Sequence, residues 1–82
     1  MSRAIIDGVL YDTDKCEYVM DTYIAPDGYP RELPGKLYRG KNRWFVVVMN
    51  NIYPVTEFWV KNSIGRKSIE KYIELFGKVE DA

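Results

Sequence analysis

Five carboxylates lie close together near the start of the chain and raise the question of a metal site. They are Asp7, Asp12, Asp14, Glu17 and Asp21. Their order does not match an EF-hand loop, and no bidentate glutamate falls at the position that such a loop requires. Asp7 is better explained as a turn residue, and Asp12 or Asp14 as the residue that caps a helical turn. We therefore predict no metal site and no other cofactor.

Nucleophilic and acid–base chemistry lacks its usual residues. The 82 residues include no histidine, which removes the commonest general base and the usual catalytic zinc ligand. The single cysteine, Cys16, has no imidazole to activate it, so a structural, partly buried thiol is expected. The segment GRKS at 65–68 is only a fragment of a phosphate-binding loop. We expect a protein that is not an enzyme and has no catalytic residues.

The most basic segment is KLYRGKNRWFVVV, residues 36–48. Its four cations are Lys36, Arg39, Lys41 and Arg43. They could contact phosphates while a neighbouring aromatic ring stacks on a base. Alternatively, they occupy an exposed turn while Trp44 and Phe45 begin a buried strand. We favour the second interpretation, because the apolar residues continue as VVVM.

A second basic cluster contains Arg66, Lys67 and Lys71. These residues could extend the positive surface of the first segment towards an acidic partner. The alternative is a solvated helix face on which Lys67 pairs with Glu70 and Lys71 with Glu74. We favour the solvated face.

Composition and charge indicate a small globular domain with two differently charged parts. The chain is 46% hydrophobic and 15% aromatic, too much for a disordered chain, and 82 residues suffice for one domain only. The net charge is zero, but residues 1–35 sum to −4 and residues 36–71 to +6. The lone cysteine, the lack of an apolar leader and the short apolar runs predict a cytoplasmic protein without a membrane segment.

The first half of the chain predicts a hairpin, a helical turn and a strand. Asp7-Gly8 supplies the positive φ angles of a type I′ turn between strands at 3–6 and 9–11. Residues 13–24 fit either a helix, capped by Asp12 or Thr13, or alternating strand residues. We choose one helical turn at 13–16 and a strand at 17–24. Three prolines and two glycines predict a loop over 26–35.

A three-stranded meander follows, with strands at 36–39, 43–49 and 52–55 and turns at 40–42 and 50–51. The middle strand is apolar on both faces and should be central, with Trp44, Val46 and Val48 on one face and Phe45, Val47 and Met49 on the other. Pro54 marks the last strand as an edge.

Thr56 could cap a short helix at 57–61, after which Gly65 interrupts. A longer helix at 66–76, capped by Asn62 or Ser63, presents Ile69, Tyr72, Ile73 and Phe76 and ends at Gly77. Residues 78–82 form a frayed tail. The predicted architecture is a single α+β domain, in which a small antiparallel sheet has the C-terminal helix packed on one face.

Three segments resemble a group of small single-domain proteins from phages and integrative mobile elements of Gram-positive bacteria. They are IIDGVLYDTDKCEYV at 5–19, KLYRGKNRWFVVV at 36–48 and YPVTEFW at 53–59. The group's pattern is a DGxxYdT start, a LYR-turn-RWF hairpin and a short "pLt" segment that leads into a helix. The turn Gly40-Lys41-Asn42 is shorter here than in that pattern, and VKNSIGRKSIE at 60–70 looks inserted. The resemblance implies a mobile-element origin and no catalytic residues.

Small size, the expected origin and the lack of catalytic groups favour a non-enzymatic protein that docks on a host or defence protein. An inhibitor of a bacterial immune system, such as an anti-CRISPR protein, fits that description. The expected contacts are the loop at 26–35 and the basic turn, together with Tyr53, Trp59 and the basic pair Arg66 and Lys67. The full candidate set is Tyr29, Arg31, Arg39, Lys41, Arg43, Tyr53, Trp59, Arg66 and Lys67. The alternatives are a nucleic-acid-binding accessory protein and a homodimer that pairs through the edge at Ile52–Val55.

Overall fold

A computed structural model describes residues 2–77 and 79–82 of the chain. Its strands are β1 (Arg3–Ile6), β2 (Val9–Asp12), β3 (Glu17–Ile24), β4 (Leu33–Arg39), β5 (Trp44–Val48) and β6 (Asn51–Val55). A 3₁₀ turn (Thr13–Lys15) precedes β3, and the helices are α1 (Glu57–Lys67) and α2 (Ile69–Phe76). The predicted α+β class with a small antiparallel sheet is confirmed. The position of the C-terminal helix across one sheet face stays a prediction.

Strands β1 and β2 form a separate hairpin whose turn follows from its sequence. Asp7 and Gly8 have φ angles of 53° and 78°, as a type I′ turn requires. The prediction for residues 13–24 is also confirmed, because a 3₁₀ turn precedes a strand that begins at Glu17. The carboxylate of Asp12 accepts a hydrogen bond of 2.9 Å from the backbone N–H of Asp14, so Asp12 is the cap of this turn.

The other four strands form an antiparallel sheet in the order β3-β4-β5-β6. The apolar strand β5 is central and β6 is an edge, as predicted. The edge strand β3 has a bulge between Tyr18 and Met20, where Val19 has no partner on β4 and is buried in the core.

The predictions for the start of β4 and for the position of the β5–β6 turn are wrong. Strand β4 starts at Leu33, so Leu33, Pro34 and Gly35 belong to a strand instead of the predicted loop. Pro34 is tolerated there because pairing of β4 with β5 begins only at Lys36, and Pro34 therefore has a strand on one side alone. The β5–β6 turn is Met49-Asn50, with Val48 paired to Asn51, one residue earlier than predicted.

Directly paired residues point to the same side of a sheet, which defines two faces. The core face carries Leu37, Val46 and Val48, which share a buried cluster with Val60 and Ile64 of α1. The other side, here called the open face, carries Asp21, Tyr23, Lys36, Tyr38, Phe45 and Val47. On the open face, Tyr11 of the hairpin covers Phe45, with ring centroids 5.3 Å apart.

The helices differ from their predicted extents. Thr56 caps α1 as expected, since its side chain accepts from the N–H of Trp59. However, α1 continues through Gly65, because Tyr72 packs beside that glycine and tertiary contact outweighs its poor helix propensity. The break falls at Ser68, which caps α2 in place of Asn62 or Ser63.

The remaining C-terminal predictions have mixed outcomes. Gly77 does end α2, with φ of 86°. Tyr72 and Phe76 pack against the core cluster, whereas Ile69 and Ile73 are exposed. Residues 79–82 form neither helix nor strand, and the predicted tail residue Lys78 lies outside the described residues. Among the described residues, no helix is long and apolar enough to cross a membrane.

Candidate functional site

A groove of about 740 Å³ lies on the open face. Strands β3, β4 and β5 form its floor, the base of the hairpin forms one wall, and the end of α1 reaches its rim. The lining residues are Ser2, Thr13, Asp21, Thr22, Tyr23, Pro34, Gly35, Lys36, Tyr38, Val47, Met49, Asn50 and Lys67. It is a wide depression with both apolar and charged lining, and its shape suits an extended segment better than an enclosed small molecule.

Cations sit over aromatic rings beside this groove. The Nζ atom of Lys67 lies 4.7 Å from the ring centroid of the exposed Tyr23. The Nζ atom of Lys36 lies 5.4 Å from the ring centroid of Tyr18, which makes an edge contact with Tyr38. Each contact places a positive charge next to apolar surface. The groove therefore offers aromatic area and positive charge together.

The only acidic side chain that lines the groove within the described residues is Asp21, and it is engaged. One of its oxygens accepts a 2.8 Å hydrogen bond from the Tyr18 hydroxyl and a 3.3 Å bond from the Lys36 ammonium group. These bonds lower the pKa of the Asp21 carboxyl, with the Tyr18 hydroxyl as the larger cause. The same bond raises the pKa of Tyr18. All three groups are exposed, so their effect is mainly to arrange charge on the surface.

Met49 stands at the rim of the groove in an unusual backbone conformation. Its φ is 49°, and that of Asn50 is 72°. Asparagine tolerates the left-handed region, whereas methionine there is disfavoured. The Met49 side chain is 85% exposed. A strained backbone that presents an apolar side chain to solvent is a feature found at functional sites.

The basic turn presents fewer free cations than the sequence implies. Arg39 lies on the core-face side of β4, where its Nη2 atom is 2.7 Å from Glu17 Oε1 and its guanidinium is 5.8 Å from the Trp44 ring centroid. Lys36 is paired with Asp21. Lys41 and Arg43 remain exposed in the turn, and neither forms an ion pair within residues 2–77 and 79–82.

The loop and the basic turn do not form one surface. Tyr29 and Arg31 are exposed in the loop at 25–32, where the Tyr29 N–H donates to the carbonyl of Pro26. This loop precedes β4, and the basic turn follows it. Seven residues of extended chain separate the two by about 20 Å along the strand. The structure thus brings neither Tyr29 nor Arg31 beside Lys41 or Arg43.

The other candidate residues fall into two groups. Tyr53 and Trp59 are half-buried and pack against the core cluster, although Trp59 also lines a shallow cavity of about 430 Å³. Arg66 and Lys67 end α1 and are exposed. Lys67 contacts Tyr23 and does not pair with Glu70 as expected. Lys67 ends α1 whereas Glu70 belongs to α2, so they are not neighbours on one helix. Lys71 and Glu74 do pair, at 3.5 Å.

Sequence reasoning missed Asp21, Lys36 and Met49 as members of one surface. The signal for Asp21 and Lys36 was opposite charge on two strands, and it becomes usable only when the register of β3 and β4 is known.

Among the described residues, no three His, Cys, Asp or Glu side chains are grouped as a metal ion would require. No protein-family model matches the chain, and no curated protein or solved structure matches it either.

Proposed function

We propose that this protein is a non-enzymatic docking protein whose groove binds an acidic, partly apolar segment of another protein. The observation that carries the proposal is the combination of Lys36 and Lys67 with exposed aromatic surface around one groove. Lysine charges attract carboxylates, while Tyr23 and Met49 offer apolar contact area. Because Asp21 is already engaged by Tyr18 and Lys36, it repels an acidic partner less than a free carboxylate would.

The biological setting rests on the three sequence segments that resemble proteins of phages and mobile elements. In that setting the protein acts in the cytoplasm of a bacterial host, and its partner is a host or defence protein. Inhibition of a bacterial immune system, as by anti-CRISPR proteins, is the form of this function that the small size favours.

Nucleic acid is the less favoured partner. Arg39 of the basic segment is engaged with Glu17 on the core-face side of β4, away from the groove and from Lys36. In the second basic cluster, Lys67 lies beside Tyr23, near the end of β3. Arg39 pairs with Glu17 at the start of that strand, so Arg39 and Lys67 lie far apart. Scattered cations on a chain of zero net charge provide little phosphate neutralisation.

A homodimer through the sheet edges is also less favoured. Pro54 removes a donor from β6, and the bulge in β3 disturbs the regular row of backbone groups on the other edge. Both are features that hinder pairing of strands between copies.

Site-specific photo-cross-linking in host cells tests the docking proposal. A benzophenone amino acid at position 23 or 49 is expected to cross-link one and the same protein, and the peptide attached to it should be rich in Asp or Glu. The matched control is position 58, because Phe58 is an exposed aromatic residue on α1 outside the groove. Lys36→Glu with Lys67→Glu should suppress the cross-link from position 23.

Three results would contradict the proposal. They are equal cross-linking from positions 23 and 58, a product that nuclease treatment removes, and a product that is a second copy of the chain.

A further inference from the structure

The N-terminal hairpin is joined to the rest of the domain by few contacts. In the described part of the chain, β1 and β2 pair with each other and with no strand of the four-stranded sheet. An isolated two-stranded hairpin is at best marginally stable in water. Its order therefore depends on docking against the open face.

The docking contacts are local and can be named. Tyr11 is 5% exposed and places its ring edge against Phe45 at 5.3 Å. At the base of the hairpin, the Ser2 N–H donates to Thr13 Oγ1 and the Ser2 hydroxyl donates to Asn50 Oδ1, at 3.0 and 3.3 Å. On the outer side, Ile5 and Leu10 form a cross-strand pair that is 73% and 48% exposed. Undocking therefore costs the burial of Tyr11 and of the ring that it covers, together with that of Ile6 and Val9, which are half-buried on the same side of the hairpin.

The main core does not depend on the hairpin. The buried cluster and the residues packed against it include no residue of β1 or β2 among those that the structure describes. Phe45, which Tyr11 covers, lies on the face of β5 opposite to that cluster. Loss of the hairpin contact leaves the contacts of Leu37, Val46 and Ile64 in place.

We propose that the hairpin, residues 3–12, opens as a unit while the four-stranded sheet and both helices stay folded. Opening uncovers Phe45, which is 1% exposed in the closed form. Phe45 stacks on Tyr38 at 5.4 Å, and Tyr38 contacts Tyr18, so the open form presents an aromatic row across three strands. Ser2 lines the groove and directly precedes β1, so it moves with the hairpin, and opening also removes part of one wall. The hairpin is a flap that changes the size and the apolar area of the groove, whichever ligand the groove takes.

Native-state hydrogen exchange on the full chain tests this proposal without a partner. Amides of β1 and β2 are expected to exchange at least about tenfold faster than those of β4 and β5, through an opening that depends only weakly on low concentrations of denaturant. Equal exchange rates with equal denaturant dependence in both regions would overturn the proposal, since the hairpin would then open only by global unfolding.

Two substitutions sharpen the test. Tyr11→Ala should raise the exchange rates of the hairpin amides by a further factor of about ten or more. The exchange rates of the amides in β4 and β5 should change much less. The control Ile5→Ala, at an exposed position of the same hairpin, should change neither region strongly. A Tyr11→Ala protein that loses protection equally in all strands, or that does not fold, would show that the hairpin is part of the cooperative core and would refute the flap.

Discussion

The two faces of the four-stranded sheet are covered in different ways. The core face is closed by apolar contacts, and Leu37 and Val46 are fully buried there. On the open face, Tyr11 covers Phe45, while Lys36, Tyr38 and Val47 line a groove. Adjacent residues of one strand therefore serve opposite purposes. Stability should depend mainly on the core face, whereas the open face leaves charged and aromatic side chains exposed to solvent.

The largest expected effect compares Leu37→Ala with Lys36→Ala. Leu37 is fully buried, and removal of such a side chain costs about 2–5 kcal/mol of unfolding free energy. Lys36 is exposed, and loss of its pair with Asp21 should change stability by about 0.5 kcal/mol or less. Urea unfolding followed by tryptophan fluorescence measures both. A similar loss for the two variants would show that the open face contributes to stability as much as the core face does.

The alternation of these faces could be predicted from sequence, because strand period and apolar content are local signals. Residues 44–48 carry β-branched and aromatic side chains throughout, which predicted a central strand, and the structure has one. Asp7-Gly8 predicted its turn for the same reason, since both residue types favour left-handed backbone. Met49-Asn50 adopts the same kind of turn, but methionine carries no such preference, so the turn was predicted one residue too late.

The candidate site was harder to predict because it depends on which strands lie side by side. Pro34 and Gly35 have the composition of a loop, yet pairing with β3 makes them part of β4. This extension separates Tyr29 from the basic turn. Lys36, Lys41, Arg39 and Arg43 are equally basic in the sequence, and only the positions of Asp21 and Glu17 decide which cations are engaged.

A comparison of two glycines tests how tightly the core face is closed. A Cβ atom at Gly35 would lie 2.8 Å from Val46 Cγ1 and 2.9 Å from the Val47 carbonyl oxygen, so Gly35→Ala should lower the unfolding free energy by about 1–3 kcal/mol. At Gly65, inside α1, the nearest atom is a Tyr72 ring carbon at 3.6 Å. Gly65→Ala should raise stability by about 0.5–1 kcal/mol. Thermal unfolding of both variants measures the two signs, and stabilisation by Gly35→Ala would mean that β4 and β5 can move apart at no cost.

At the rim of the groove, we expect one substitution to raise stability and to weaken binding. Met49→Asn keeps the turn with a residue that tolerates positive φ, so the unfolding free energy should rise by about 0.5–1 kcal/mol. The matched change Gly8→Ala, at φ of 78° in the other turn, should lower it by about 1 kcal/mol. With the partner found by cross-linking, Met49→Asn should bind more weakly, because the apolar side chain is lost. An unchanged affinity would remove Met49 from the docking surface.

The smallest expected effect concerns the pH dependence of the pair formed by Tyr18 and Asp21. The Tyr18 hydroxyl is the main cause of the lowered pKa of Asp21, so Tyr18→Phe should raise that pKa towards its ordinary value of 3.8, while Lys36 keeps it somewhat below. An NMR titration of the carboxyl carbon measures the change. Tyr23→Phe is the control, because that variant keeps the hydrogen bond.

The same bond sets the sign of the stability difference between the wild type and Tyr18→Phe. Since the folded pKa of Asp21 is lowered, its contribution is present above pH 3.8 and is lost as the pH falls through the folded value. Since the folded pKa of Tyr18 is raised, its contribution is present below pH 10.0 and is lost as the pH rises through the folded value. The unfolding free energy of the wild type should therefore exceed that of the variant by a constant amount between these two pH limits. The difference should shrink in acid and in alkali. A difference that does not vary with pH would show that the hydrogen bond from the Tyr18 hydroxyl to Asp21 does not couple the titration of either group to stability.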